Sequence, residues 1–297
     1  MNIALYARNT STNKPDYISI IHKILRQNQS QLYLFKNYYQ YLKSYFKFDE
    51  DLPTVENTDD LTKHHIDLLI SLGGDGTLLE TVSLVQKLPI PVCGINTGKL
   101  GFLTYDANPT HIDNIILSLI QNQYTVEKRN LLELLYPSQP INGINYALNE
   151  IVIHKTDSGS MLYIDIFIDD IYLTTIFANG VIVSTATGST AYSLSCGGPI
   201  LEPGINAMII TPIASHSLNA RPIVISNHHV LSFKISGRNP QYTLSLDSRT
   251  YCPVLNFDKE LIKISRAHHQ FHLVVPHHYH FFNSLKNKLY WGSDTRI

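Results

Sequence analysis

The chain has 297 residues, enough for two domains that each bury a core. Its 23 basic and 24 acidic residues leave a formal net charge of −1, which excludes nucleic acid and anionic membrane as default partners, so bound phosphate must be held by local geometry. Cys93, Cys196 and Cys252 give neither a disulfide framework nor paired zinc spacing, MNIALYARNT lacks a signal-peptide pattern, and no apolar run approaches the roughly 20 residues of a membrane span. A soluble, unprocessed cytoplasmic protein is expected.

The first hundred residues alternate short apolar runs with helical periodicity, the pattern of βα units on a mostly parallel sheet. Residues 3–6 predict a strand, and 16–28 a helix with Ile18, Ile21 and Leu25 on one face. Residues 66–72 have little polar relief, as in a strand covered on both sides, and Gly73 and Gly74 end it. Helical spacing follows over 78–88, a strand over 91–95 runs into NTGKLGFLT, and 109–122 predict a helix burying Ile112, Ile116 and Leu119. From Tyr124 the pattern becomes many short alternating runs: 131–136, 147–153, 161–168, 171–177, 181–184, 230–236, 242–246, 261–265 and 271–275. The expected fold is therefore an α/β N-terminal domain, residues 1–105, followed by a β-rich C-terminal domain, residues 106–277. Phe282, Leu285 and Leu289 stand at helical spacing near the end, so residues 278–297 are expected to pack back on the first domain.

The strongest local signal is GGDGT, Gly73 to Thr77, placed where a buried strand turns into a helix. Gly73, Gly74 and Gly76 clear side chains from the turn, so its backbone N–H groups can approach phosphate oxygens and the helix dipole favours the negative charge. Asp75 would be repelled by such a phosphate unless it takes the proton of an attacking hydroxyl or holds a Mg²⁺. The structural alternative is a tight turn with Asp75 as a helix cap. Neither the Walker A pattern nor the GxGxxG fingerprint occurs.

A second signal is STATGSTAYSLSCGGPI, residues 184–200, whose small and hydroxylated residues leave room for a flat ligand, with Tyr192 offering an aromatic face; a Ser/Thr-rich surface loop is the alternative. A third is Asn149-Glu150 on a predicted strand, a costly pair to bury unless a ribose diol and an adenine edge, or structural partners, satisfy it. The histidines occur mostly as adjacent pairs with divergent side chains, which favours solvated loops over a metal site, and Lys99 and Arg221 read as surface cations.

GGDGT, NTGKLGFLT, LNEIVIH and STATGSTAYSLSCGGPI, followed by SHSLNARPIVI and LKNKLYWG, stand in an order and spacing that resembles the bacterial NAD kinase family over nearly the whole chain. GGDGT alone is shared with lipid kinases and phosphofructokinases, but those leave TGSTAYSLS without an explanation. The resemblance implies an active site in a cleft between an α/β and a β-rich domain, and a homo-oligomer, dimer or tetramer, that completes the NAD pocket. It implies transfer of the γ-phosphate of ATP to the 2′-hydroxyl of the adenosine ribose of NAD, with Mg²⁺ held mainly by ATP phosphates and water and no metal ligand from the protein. Asp75 matches the proton acceptor, and Gly73, Gly74, Gly76 and Thr77 the phosphate turn. Asn149 and Glu150 match the adenine- and ribose-binding pair. Thr187, Thr190, Ala191, Tyr192, Ser193, Leu194 and Ser195 match the positions around the adenine and nicotinamide half, and Ala214 one near the carboxamide.

Three positions depart from the family pattern. Asn179 replaces a usual Asp, Phe177 a usual basic or polar residue, and Ala186 the usual Pro of STPTGST. An amide at 179 can hydrogen-bond a carboxamide but cannot pair with a pyridinium charge, so the choice between NAD and NADH stays open. A non-catalytic NAD sensor is the rival from another class, with Asn179 in its favour and intact Asp75 against it.

Overall fold

The structure is a computed structural model that describes residues 1–9, 15–44, 51–98, 101–106, 112–137, 144–156, 161–237, 241–251, 261–277 and 279–292. Lys99 and Cys252 lie outside the described residues. The chain divides into two compact units, Met1–Glu127 with His272–Ile297, and Lys128–Phe271.

In the first unit β1 (Asn2–Ala7), α1 (Pro15–Gln27), β2 (Gln31–Phe35), α2 (Lys36–Lys43), β3 (Thr54–Val55), α3 (Thr58–Lys63), β4 (Leu68–Leu72), α4 (Asp75–Val85), β5 (Val92–Asn96), β6 (Tyr105–Asp106) and α5 (Ile112–Ile120) follow in order. Five strands pair in parallel in the order β5-β4-β1-β2-β3. β4 and β5 are buried along their whole length, which is why they read as unrelieved apolar runs. Ile18, Ile21 and Leu25 of α1 and Ile112, Ile116 and Leu119 of α5 enter one core with Ile3, Leu5, Leu34 and Ile70 of the sheet.

The division between units falls at Glu127 and Lys128, later than the 105/106 division read from the sequence, because the buried stripe of α5 belongs to the first core. The sequence reading passes over β2, α2 and α3. α2 buries Tyr38, Tyr39 and Leu42 among polar residues, and α3 is a six-residue helix whose N-cap, Asn57, accepts the Asp60 N–H at 3.0 Å.

The chain enters the second unit along β7 (Tyr124–Tyr136). There follow β8 (Tyr146–Ala147), β9 (Glu150–Lys155), β10 (Leu162–Ile168), β11 (Ile171–Ala178), β12 (Gly180–Thr185), a 3₁₀ turn (Thr187–Thr190), α6 (Tyr192–Ser195), β13 (Ala207–Ile213), β14 (Ile223–Ser226), β15 (Leu231–Ser236), β16 (Tyr242–Leu246) and β17 (Arg249–Tyr251). β18 (Ile262–Pro276) returns to the first unit and leads to α7 (Phe281–Leu289). One antiparallel sheet runs β14-β13-β12-β9-β16-β17, and β11-β10-β15-β18 are paired antiparallel in another. Alternate residues of both, including Ile151, Ile153, Val181 and Val183 from the first and Ile164, Phe233 and Ile264 from the second, form a single core. β18 replaces two strands expected at 261–265 and 271–275: the polar stretch between them stays extended, with Ala267 and Phe271 buried.

Gly180 faces the backbone of β9 so closely that a Cβ there would sit 2.2 Å from the Ile153 carbonyl oxygen. Gly180→Ala is expected to lower stability by about 1–3 kcal/mol, the usual cost of overpacking, read as a lower urea midpoint at unchanged m value.

Candidate active site

In the first unit, β4 runs into the Gly-rich turn. Gly73 has φ +150°, and a Cβ on it would lie 2.5 Å from Thr77 Oγ1, so only glycine fits. Gly74 is the N-cap of α4, with open space where a Cβ would be, and the Thr77 N–H donates to its carbonyl at 2.9 Å. The first turn of a helix leaves backbone N–H groups without an intrahelical acceptor, here on residues that carry no obstructing side chain around Gly74.

Asp75 does not cap the helix it begins. Its Oδ2 accepts the Phe102 N–H at 2.6 Å, and its Oδ1 accepts the Leu103 N–H at 3.1 Å and the Thr104 hydroxyl at 2.7 Å. The Asn96 amide donates to Thr104 Oγ1 at 3.1 Å, which leaves that hydroxyl proton for Asp75. A Cβ on residue 101 would stand 1.7 Å from Asp75 Oδ1, so Gly101 is what lets the carboxylate reach these donors. Two pieces of the chain that the sequence only placed in order, GGDGT and GFLT, are thereby joined through one side chain.

The segment after β18 also reaches GFLT. Tyr279 donates its hydroxyl to the Phe102 carbonyl at 3.2 Å, and Lys288 Nζ lies 4.1 Å from the centroid of the Phe102 ring. Of the three residues expected to pack from α7, Leu285 is half-buried, whereas Phe282 is 62% and Leu289 37% exposed; Ser284 is buried and the Lys288 ammonium is turned inward. That nitrogen has no hydrogen-bond partner, and burial pushes its pKa down to about 8, opposed by the nearby charge of Asp75. On the other side of the turn, Arg8 donates to the Gly76 carbonyl at 3.1 Å and pairs with Glu80 at 2.7 Å.

In the second unit the pairing of β9 with β12 sets Glu150 opposite Ser184 and so brings the other two signals together. The Thr185 hydroxyl donates to the Leu148 carbonyl at 2.7 Å and its N–H to the Asn149 carbonyl at 2.9 Å, while the Gly188 N–H donates to Thr185 Oγ1 at 3.0 Å. Gly188 passes so close that a Cβ would lie 2.2 Å from the Asn149 carbonyl oxygen. Asp247, at the turn after β16, accepts the N–H groups of Leu148 at 2.9 Å, Asn149 at 2.8 Å and Glu150 at 3.2 Å.

Asn149 and Glu150 are both buried. Glu150 receives the backbone N–H of Tyr192, but its Oε2 has no partner. Burial, with the Asp247 carboxylate adding to it and the Tyr192 N–H opposing, pushes its pKa up to about 8. Thr187 is buried with its hydroxyl 3.4 Å from Arg129, Ser193 is buried with its hydroxyl 2.9 Å from that of Thr211, and Tyr192 is exposed. Thr190, Ala191 and Leu194 are half-buried and Ser195 is exposed. Phe177 packs on Tyr163 and His216 at ring distances of 4.7 and 5.8 Å, and the Asn179 N–H donates to the Ile213 carbonyl at 3.0 Å. Ala214 holds φ +43°, a left-handed conformation uncommon for alanine. Arg221 turns its guanidinium onto the Leu218 and Ala220 carbonyls at 2.8 and 2.9 Å.

Sequence reasoning missed Asp247, Thr104, Phe102, Lys288 and Arg8, each of which acts on a motif far from it in the chain. Among the described residues no group of three or more His, Cys, Asp or Glu could hold a metal, and no helix is long and apolar enough to cross a membrane.

Family models for the ATP-NAD kinase N-terminal domain and the ATP-NAD kinase C-terminal domain match residues 13–124 and 148–275. The chain is 35% identical to an NAD kinase of Christiangramia forsetii over 298 residues and 37% identical to one of Bacteroides fragilis over 301, with 100% of both chains covered in each case. Among solved structures it resembles yeast NADH kinase complexed with NADH, at a TM-score of 0.85 and 26% identity over 100% of this chain and 89% of that one. It shares its fold with an NAD kinase from Archaeoglobus fulgidus in complex with ATP, at a TM-score of 0.75 and 23% identity over 98% and 99% of the two chains.

The raised pKa of Glu150 gives a pH-dependent expectation. The folded chain keeps the Glu150 proton up to about 8 whereas an unperturbed glutamate loses it near 4.5, so stability contributed by the protonated form is lost as pH rises across that interval. Glu150→Gln mimics the protonated state throughout. Its Tm is expected to match wild type near pH 4.5 and to exceed it by ~3 °C or more at pH 8, the shift that roughly 1 kcal/mol produces in a chain of this size. A Tm difference independent of pH would contradict the assignment.

Proposed function

The chain belongs to the ATP-NAD kinase family, and from that premise we propose how its residues divide the work of an ATP-dependent NAD kinase. The reaction moves the γ-phosphoryl group of ATP onto the 2′-hydroxyl of the adenosine ribose of NAD, giving NADP and ADP. Asp75 accepts the hydroxyl proton as the ribose oxygen bonds to phosphorus and the bond to the β-phosphate oxygen breaks. One observation carries this assignment. An ionised carboxylate has about four acceptor sites, and Asp75 uses three, two on Oδ1 and one on Oδ2, so a single site on Oδ2 remains for a substrate hydroxyl.

Gly73, Gly74, Gly76 and Thr77 form the turn that takes the phosphates, with the N–H groups of Gly74 and Gly76 as its donors, since those of Gly73 and Thr77 already donate to the Ile95 and Gly74 carbonyls. Asn149 reads the adenine edge and Glu150 the ribose diol, a role supported by the unpartnered Oε2. Thr187, Thr190, Ala191, Tyr192, Ser193, Leu194 and Ser195 enclose the adenine and nicotinamide half, with Phe177, Asn179 and Ala214 toward the carboxamide. A phosphate-borne Mg²⁺ fits this donor set, since Asp75 has three of its acceptor sites taken by the protein and the one that remains is left for the hydroxyl. When bound through ATP it supplies charge neutralisation for the transferring group.

We place the enzyme in the cytoplasm as a homo-oligomer. The edge strand β11 exposes Ile171, Tyr172 and Leu173 at 73, 56 and 41%, an apolar edge that a second copy would cover.

The test is a coupled assay of NADP formation from NAD, ATP and Mg²⁺, with NADH as competing acceptor. Wild type is expected to turn over and Asp75→Asn to lose ~10² to 10⁴ fold in kcat, the contribution of a positioned general base. A wild-type protein that binds NAD but makes no NADP with any donor would be a sensor, and the enzyme reading would be withdrawn. A preference for NADH would assign that selectivity to the neighbourhood of Asn179. Light scattering checks the assembly: a monomer at micromolar concentration removes the oligomer from the proposal.

A further inference from the structure

Lys288 stands apart from the other lysines of the C-terminal segment. Lys286, two positions earlier in the same last turn of α7, is exposed. Lys288 instead carries its ammonium into the protein, where it meets no hydrogen-bond acceptor and forms no ion pair among the described residues. A buried ammonium without acceptors is costly, and an apolar side chain would fill the same volume without that cost. What offsets it here is the face of the Phe102 ring, 4.1 Å from the nitrogen, together with attraction to the Asp75 carboxylate.

Phe102 is held at three points. Its ring lies beneath Lys288, its carbonyl accepts the Tyr279 hydroxyl at 3.2 Å, and its N–H donates to Asp75 Oδ2 at 2.6 Å. That last oxygen is the one with an acceptor site to spare, so the direction of the remaining lone pair follows the placement of the Phe102 N–H. We propose that Lys288 is a positioning residue: seated on the Phe102 ring, it fixes the segment 101–104 and through it aims the free acceptor site of Asp75. The proposal rests on the reading of Asp75 as proton acceptor, but its mechanical half, the holding of the segment, can be measured without turnover.

The experiment uses the full-length protein as Lys288→Met, Lys288→Arg and, as a neighbouring surface control, Lys286→Met. Lys288→Met is expected to lower kcat ~10-fold with KM for ATP and NAD within ~2-fold. The Phe102 and Leu103 amides, which donate to Asp75, are expected to exchange with solvent ~10-fold faster, the scale of a desolvated cation–π contact. Lys288→Arg, which restores a cation over the ring, should recover both, and Lys286→Met should behave as wild type. Where Lys288→Met fails to fold, Phe102→Leu removes the ring, leaves the lysine and carries the same readouts. Unchanged exchange at the two amides overturns the proposal, and so does unchanged kcat. A raised KM for ATP with unchanged exchange also overturns it, by making Lys288 a direct phosphate contact. Failure of the Asp75 reading registers separately, as an Asp75→Asn enzyme that still turns over while amide exchange responds to Lys288→Met.

Discussion

The first unit is organised around a carboxylate that begins a helix and spends its hydrogen bonds elsewhere. Had Asp75 folded back onto its own N-terminus, it would have occupied the N–H groups of the GGDGT turn and set a negative charge at the helix end. By bonding instead to Phe102, Leu103 and Thr104 it leaves that helix end clear and acquires a fixed direction. The glycines at 73 and 101 serve this one geometry: the first gives the chain a conformation that side chains resist, the second gives the carboxylate somewhere to go.

The second unit solves a related problem with the charges reversed in purpose. Asp247 collects three backbone N–H groups and so fixes the strand start that carries Asn149 and Glu150. Glu150 is then left with one oxygen unmatched in a buried place. A protein interior tolerates such a group when a ligand completes it, which is why the unmatched oxygen weighs more than the mere presence of a glutamate. Each unit thus holds one aspartate that accepts three hydrogen bonds from a distant stretch of chain, Asp75 from residues 102–104 and Asp247 from residues 148–150, and each fixes the segment that supplies its donors.

What the sequence made legible follows from the physics of each signal. The α5 stripe of Ile112, Ile116 and Leu119 was readable because its apolar residues are the ones it buries. The α7 face was not, because that helix turns a serine and a lysine inward and leaves Phe282 and Leu289 outward, the reverse of the rule on which periodicity depends. Glycines marked the strand-to-helix turn, since few demands put three in four positions, whereas the donors to Asp75 lie up to 29 residues away and two are backbone groups that any residue supplies. Asp247 was hidden in the same way: its partners are main-chain N–H groups 97 to 99 positions earlier, a relation no local pattern records.

The contact between Gly188 and the Asn149 carbonyl, two backbones with no room for a methyl group between them, ties the hydroxyl-rich turn to the Asn-Glu strand more tightly than any side-chain bond could. Two segments so joined have no independent history available to them. Neither can be reshaped alone, because the first added carbon at 188 displaces the Asn149 backbone. The accessible changes are confined to side chains that take no part in that contact, such as those of 177, 179 and 214, and there the chain can vary while keeping the same frame.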